Sequence, residues 1–477
     1  MRQTIRHAGG LALLRVIATG GGLLATILIP RLMGPSGYGE FSFIQTLSLW
    51  FSLLGGLGIV SVVTRYVPEL MERDDQAGLR KLAGGLLALQ ILGGAGSALA
   101  YFLLARIWLA NEDLGAVSLV ALGVAVRTIA NLPFAVLLGL NRAAQWGVAE
   151  MLRAILFAPL VFLGFRLDAL RGACGGMLLT EVIVLAVGFW WGRSFLSWSN
   201  LRLDWGQLRP YLRFSWAFFV STSLILLFNR AGGPFIHLLS GEFTEVGFYT
   251  IAFGAYLTAA DAWGLVLSSL GPLFSSLRLR EDTDTLKQWA ERLLTVFGLI
   301  SVVACATSYV FAGALVHLAL GPGYEAVAPL ITVFSVAGVL AGPSGLARVL
   351  AVVYEQTRIP IVAAVLQLIT FAVFGAALFP LAAGRGISAA AILATAVFAG
   401  YITWGMRQSL PYSVEHWAKI VGLGILCSPL LWAGTIHPAL RWSGFTAVFL
   451  AAAFFFRVVL MKDLSACWKA VRGSAKL

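Results

Sequence analysis

GGLALLRVIATGGGLLATILIPRLMGPSGYGEFSFIQTLSLWFSLLGGLGIVSVVTRYVPEL, residues 9–70, holds two apolar runs, 9–32 and 41–63, joined by a short Gly- and Pro-rich segment. An α-helix needs about 20 apolar residues to cross the hydrocarbon of a bilayer. Each run is long enough. Arg2 and Arg6 precede the first run, which is too long for the apolar part of a cleavable signal and has no small-residue cleavage site, so it reads as a membrane helix that stays. Gly34, Pro35, Gly37 and Gly39 read as a tight turn between antiparallel helices.

The pattern continues along the chain. Fourteen such runs can be marked, among them 114–138, 149–167, 173–193, 214–239, 247–271, 328–353, 418–436 and 442–460. The longer connections are 64–82, 194–213 and 272–290, and no stretch is long enough for a soluble domain. Of 477 residues, 59% are hydrophobic and 12% charged, with mean hydropathy +0.87. Soluble proteins average about 45–50% apolar and about 25% charged. The chain is therefore predicted to be an all-α polytopic membrane protein of about 14 helices. Disordered chains, disulfide scaffolds and secreted domains are excluded.

The net charge of +12 is first a matter of topology. Of 34 Lys and Arg, 23 lie at the N-terminus, after even-numbered helices or in the C-terminal tail, and 6 lie after odd-numbered helices. All six lysines are on the first side. By the positive-inside rule both termini are cytoplasmic, and the excess charge serves orientation and contact with anionic membrane lipids rather than nucleic acid.

Charge inside the spans is costly, so it marks function or pairing. The residues are Arg15, Arg127, Arg230, Arg348 and Arg457, with Glu181 and Asp261. Arg457 reads as a snorkelling residue near a helix end, and snorkelling competes for Arg15 and Arg348. Read by depth, Arg15 and Arg348 lie in the cytoplasmic third, Arg127 at the centre and Arg230, beside Asn229, in the outer third. They come from the first and fourth helix of each half of the first twelve, a pattern expected of two pseudo-symmetric six-helix bundles facing one cavity. Guanidinium stays charged and binds phosphate oxygens bidentately. Four arginines against two carboxylates would attract a dianion such as a pyrophosphate diester. Glu181 and Asp261 read either as proton or sodium coupling groups or as structural salt-bridge partners, with Asp261–Arg230 the natural pair. Gly20, Gly21 and Gly22 are expected to interrupt the first helix, and Pro133, Pro159, Pro234, Pro343 and Pro429 fall in or near spans.

No GxxxxGK[ST], GxSxG, HExxH or calcium-loop pattern occurs. Cys174, Cys305, Cys427 and Cys467 have no metal or redox spacing and read as small apolar side chains. No cofactor is expected.

Residues 29–70 of the opening stretch resemble the first hairpin of the polysaccharide-biosynthesis (O-antigen) flippases of the multidrug/oligosaccharidyl-lipid/polysaccharide exporter superfamily. Three later segments fit in order: LLGLNRAAQWGVAEMLRA (137–154), SGEFTEVGFYTIA (240–252) and LGPGYEAVAPLI (320–331). Gly247 and Gly321–Pro322–Gly323 read as further turns, with Tyr38, Tyr249 and Tyr324 beside them at the outer interface. The resemblance implies two six-helix bundles, 1–213 and 214–406, around a central cavity, with two further helices and a tail in 407–477. It implies alternating access, an undecaprenyl-pyrophosphate-linked oligosaccharide as substrate, movement from the cytoplasmic to the outer leaflet of the inner membrane, and glycan polymerase or export machinery as partners. Arg15 and Arg230 are where cationic cavity residues are expected. A multidrug/cation antiporter of the same superfamily, or a membrane enzyme of glycan assembly, stays open as an alternative. The first would want an acidic cavity, the second a His or carboxylate cluster on connected loops.

Overall fold

In the computed structural model, residues 2–108, 113–140, 142–196, 201, 203–432 and 437–456 are described, with residues 2–17 as backbone. Twelve α-helices and no strand occur among them: α1 (Arg2–Gly56), α2 (Ile59–Glu72), α3 (Gln76–Trp108), α4 (Leu114–Gly139), α5 (Ala143–Gly192), α6 (Trp205–Ser240), α7 (Phe243–Leu279), α8 (Thr283–Leu320), α9 (Val327–Val353), α10 (Arg358–Ser409), α11 (Glu415–Cys427) and α12 (Pro438–Phe455). A 3₁₀ turn, Ser428–Leu431, follows α11. Seven helices are long and apolar enough to cross a membrane, or eight if the bent pair Gly20–Gly56 and Ile59–Glu72 counts as one span.

Three of the helices are broken. α1 leaves helical geometry at Gly34 (φ 74°, ψ 172°). α5 does so at Asp168 and Ala169 (φ 39°, ψ −131°), and α10 at Ala382 and Ala383 (φ 45°, ψ −128°). α5 folds back on itself there. Gly164 meets the backbone of Gly172, and Gly176 meets that of Leu160, so a side chain at any of these glycines would collide with the facing arm. Gly386 likewise lies against Leu378 in α10. The small residue is the physical condition for two helical arms to approach this closely.

The chain divides into two compact units, Met1–Pro234 and Phe235–Leu477, the boundary falling within α6. In the first unit α4 packs against α1, α2, α3 and α5. Val62, Val63 and Val67 of α2, Leu82 and Leu86 of α3, and Leu132 and Val136 of α4 form its main apolar cluster. Leu208 at the start of α6 joins that cluster, and the Ser215 hydroxyl donates to the Leu57 carbonyl (3.3 Å). In the second unit α9 packs between α7, α8 and α10, and α11 and α12 close on α8. Phe445 and Phe449 of α12 are buried there, and the Trp442 indole N–H donates to Thr307 Oγ1 (2.8 Å).

The structure revises several sequence expectations. The connections 64–82 and 272–290 are largely helical, because hydropathy marks the hydrocarbon and not the helix ends: α2 runs through 59–72, and α7 and α8 leave only three residues between them. α2 is amphipathic, burying Ile59, Val62, Val63 and Val67 and exposing Thr64 and Arg65. The fifth run begins at Ala143 instead of 149. Gly20, Gly21 and Gly22 do not interrupt α1; Gly21 instead lets α1 approach α5, since a Cβ there would sit 2.8 Å from the Ala154 carbonyl oxygen. The turn glycine before α7 is Gly241 (φ 72°), and Gly247 is inside the helix. Tyr249 and Tyr324 are buried among aromatics, against Phe334 and Phe248 respectively. Arg457 and Cys467 lie outside the described residues.

Candidate functional site in the first unit

Three stripes at helical spacing meet in the first unit. On α4, Val120, Val124, Arg127 and Asn131 recur at intervals of four, three and four, which sets them on one face. On the second arm of α5, Cys174, Met177, Leu178 and Glu181 share a face, as do Glu150, Arg153 and Phe157 on its first arm. The rotation of α4 is set by its neighbour in sequence. Thr128 is fully buried, with its hydroxyl on the Val124 carbonyl (2.8 Å) and within 3.3 Å of the Ser52 carbonyl of α1. Arg127, turned about 100° from it, then faces α5.

The result is an ion-pair network between spans. Arg127 Nη1 donates to Glu181 Oε1 at 2.9 Å, and Arg153 Nε donates to Glu181 Oε2 at 3.1 Å. Arg153 also donates through Nη1 to Glu150 Oε1 and through Nη2 to Asn131 Oδ1, each at 3.0 Å. The Glu181 side chain is 9% exposed and Arg153 13%, while Arg127 is 34% and Glu150 55% exposed. Arg127 lies 13 residues into the 26-residue α4, about 20 Å along it. Together with Glu181 it lines a crevice with Gln45, Ser48 and Ser52 of α1, Val124 and Phe157. The crevice has about 30 Å³ of room for the centres of solvent molecules, enough for a water or two. Buried charge is tolerable only when paired and hydrogen-bonded, and this network supplies both. Chemically it presents a fixed cation, steadied by a shared carboxylate, to a largely apolar opening at mid-helix that Gln45, Ser48 and Ser52 edge with polar groups.

The other sequence-predicted residues are distributed elsewhere. Asn229 and Arg230 are half-buried on α6, with Arg230 in electrostatic reach of the Tyr38 hydroxyl. Asp261 on α7 and Arg348 on α9 are exposed, and both lie in electrostatic reach of the Tyr256 hydroxyl in the second unit. Arg230 and Asp261 thus belong to different units. The Arg15 side chain lies outside the described residues, its backbone being helical.

Sequence reading missed Arg153, Asn131 and Tyr256. It placed Arg153 with the cytoplasmic charges because the apolar run seemed to begin at 149. With α5 starting at Ala143, Arg153 is ten residues inside the helix. The signal available was the Glu150–Arg153 spacing of three, which puts opposite charges on one face.

Residues 5–278 match the polysaccharide biosynthesis protein family. No curated protein sequence matches significantly. The fold is similar to a lipid II flippase MurJ in an inward closed conformation, with TM-score 0.70 and 11% identity over 94% of this chain and 98% of that one. It is similar to an inward-facing multidrug resistance MATE family transporter of the MOP superfamily, with TM-score 0.66 and 13% identity over 82% and 94%. It also resembles the Vibrio cholerae MATE transporter VcmN, with TM-score 0.55 and 15% identity over 86% and 98%. The fold is thus shared with these flippase and transporter structures, and more than half of this membrane chain carries the family's sequence pattern: it belongs to the polysaccharide biosynthesis protein family.

Proposed function

We propose that the protein is a flippase that moves an undecaprenyl-pyrophosphate-linked oligosaccharide from the cytoplasmic to the outer leaflet of the inner membrane by alternating access. The observation that carries this reading is the guanidinium of Arg127, set at mid-helix beside a small, largely apolar crevice in a chain of a polysaccharide biosynthesis family. Arg15, Arg230 and Arg348 serve with it along the path of the anionic headgroup, with Asn229 beside Arg230. Counting each broken helix as two segments, the second segment of α1 with α2 as one, and α11 with its 3₁₀ turn as one, gives fourteen spans. Lobes of six helices each, 1–213 and 214–406, with two more helices in 407–477, then account for the nearly identical backbone angles at Ala169 and Ala383. Both termini are cytoplasmic, and a glycan polymerase or export assembly takes the product.

Of the two carboxylates, Glu181 is the counter-ion of two arginines, since both its oxygens are engaged. Asp261, exposed on α7, is the residue proposed for proton or sodium coupling. A multidrug exporter shares the fold and is the second reading, which drug susceptibility separates from the first.

The test is complementation of a flippase-deficient strain. Arg127→Ala and Arg230→Ala should each abolish surface glycan while membrane abundance stays normal by immunoblot. Full glycan output from both variants would refute the assignment.

A further inference from the structure

Arg153 and Arg127 share Glu181 on unequal terms. Arg153 is held through all three of its nitrogens, which donate to Glu181, Glu150 and Asn131. Among the described residues, Arg127 is held through Nη1 alone, and its side chain is more than twice as exposed. A guanidinium carries five N–H donors in a planar fork. Arg127 therefore keeps donors for the crevice side, where Gln45, Ser48 and Ser52 add polar groups. The crevice in this state is too small for a diphosphate, whose place at Arg127 is taken by the Glu181 carboxylate.

We infer that Glu181 is a resident counter-ion that competes with the diphosphate headgroup for Arg127: it holds the guanidinium when the site is empty and yields it when the headgroup enters. The inference rests on the flippase reading and names the residue that sets its affinity. The physical reason lies in the cost of an unpaired buried cation. Without Glu181, Arg127 would be stranded between transport cycles. With it, the empty protein is stable, and the headgroup must displace a carboxylate that grips through a single contact. A phosphate oxygen pair can engage the fork bidentately, which is the stronger arrangement. Glu181 itself is not stranded by the exchange, because Arg153 stays on its other oxygen. The exchange also explains turnover, since the returning carboxylate expels the headgroup after it has crossed.

The experiment uses the full-length protein purified in detergent with farnesyl diphosphate as probe, binding being read by thermal shift and by quenching of tryptophan fluorescence. Glu181→Gln keeps an acceptor and removes the competing charge. It should lower Kd about tenfold, the scale of one charge-assisted contact, while surface glycan in the complementation assay falls. A residue with a merely structural role would weaken binding, so the opposite movement of affinity and output is the signature. If Glu181→Gln does not fold, Glu181→Asp, which pulls the carboxylate back from Arg127, should tighten binding by a smaller factor. Wild-type binding that Arg127→Ala abolishes and neither Glu181 variant tightens would overturn the counter-ion role and leave the flippase reading standing. No wild-type binding, together with normal glycan output from Arg127→Ala, would overturn both.

Discussion

Arg153 shows how one residue can be misfiled by its surroundings in sequence. It follows Glu150 near the start of an apolar run and counts among the cytoplasmic charges at helix ends, yet it is 13% exposed and ties α4 to both arms of α5. Arg153→Ala should leave one Glu181 oxygen and Asn131 Oδ1 without their donor and cost about 1–3 kcal/mol, the range for unpaired buried acceptors. The expected readout is a lower melting temperature in detergent and loss of a monodisperse gel-filtration peak. Asp261 makes the contrasting case at this scale. It is exposed, and Asp261→Asn should leave folding intact while removing the dependence of transport on an imposed proton or sodium gradient in proteoliposomes. Unchanged gradient dependence in that variant would remove Asp261 from the coupling role.

At the scale of elements, the breaks in α5 and α10 carry the architecture. Each puts an alanine at positive φ, a backbone setting that favours glycine and costs an L-residue about 1–2 kcal/mol. Ala169→Gly and Ala383→Gly should therefore be neutral or stabilising, by up to about 1 kcal/mol, seen as a small rise in melting temperature. Gly164→Leu and Gly176→Leu act oppositely. Each would drive a side chain into the facing arm of α5, and membrane abundance of these variants should fall. The break in α5 is legible in hydropathy, which ends one apolar run at 167 and starts the next at 173; the backbone angles at Ala169 and Ala383 are not. The close approaches are half-legible: glycines at 164, 172 and 176 invite them, but which backbone they meet depends on the fold-back.

For the whole molecule, charge distribution and family membership make the decisive predictions. A fluorescent reporter fused at the C-terminus should report a cytoplasmic location, as the 23 to 6 split of basic residues requires. Expression of the protein in a drug-sensitive strain should leave susceptibility to cationic drugs unchanged, although the fold is shared with multidrug transporters. A drop in susceptibility would favour the exporter reading. Fold similarity alone cannot separate these two activities, because both use the same helical scaffold and differ in the side chains that line it.

Apolar runs, a lopsided count of Lys and Arg, and turn glycines such as Gly34 and Gly321 were enough to establish a polytopic helical membrane protein and its family resemblance. Those features are local or additive along the chain, so they survive in one dimension. The face shared by Arg127 and Asn131 was also readable from spacing. What the spacing could not supply was the partner: Glu181 is 54 residues from Arg127 and Arg153 is 28 from Glu181. They meet only because α5 reverses at Asp168–Ala169 and packs both of its arms on α4. Pairing across helices depends on rotation and close approach in three dimensions, which no one-dimensional pattern of polar and apolar residues encodes.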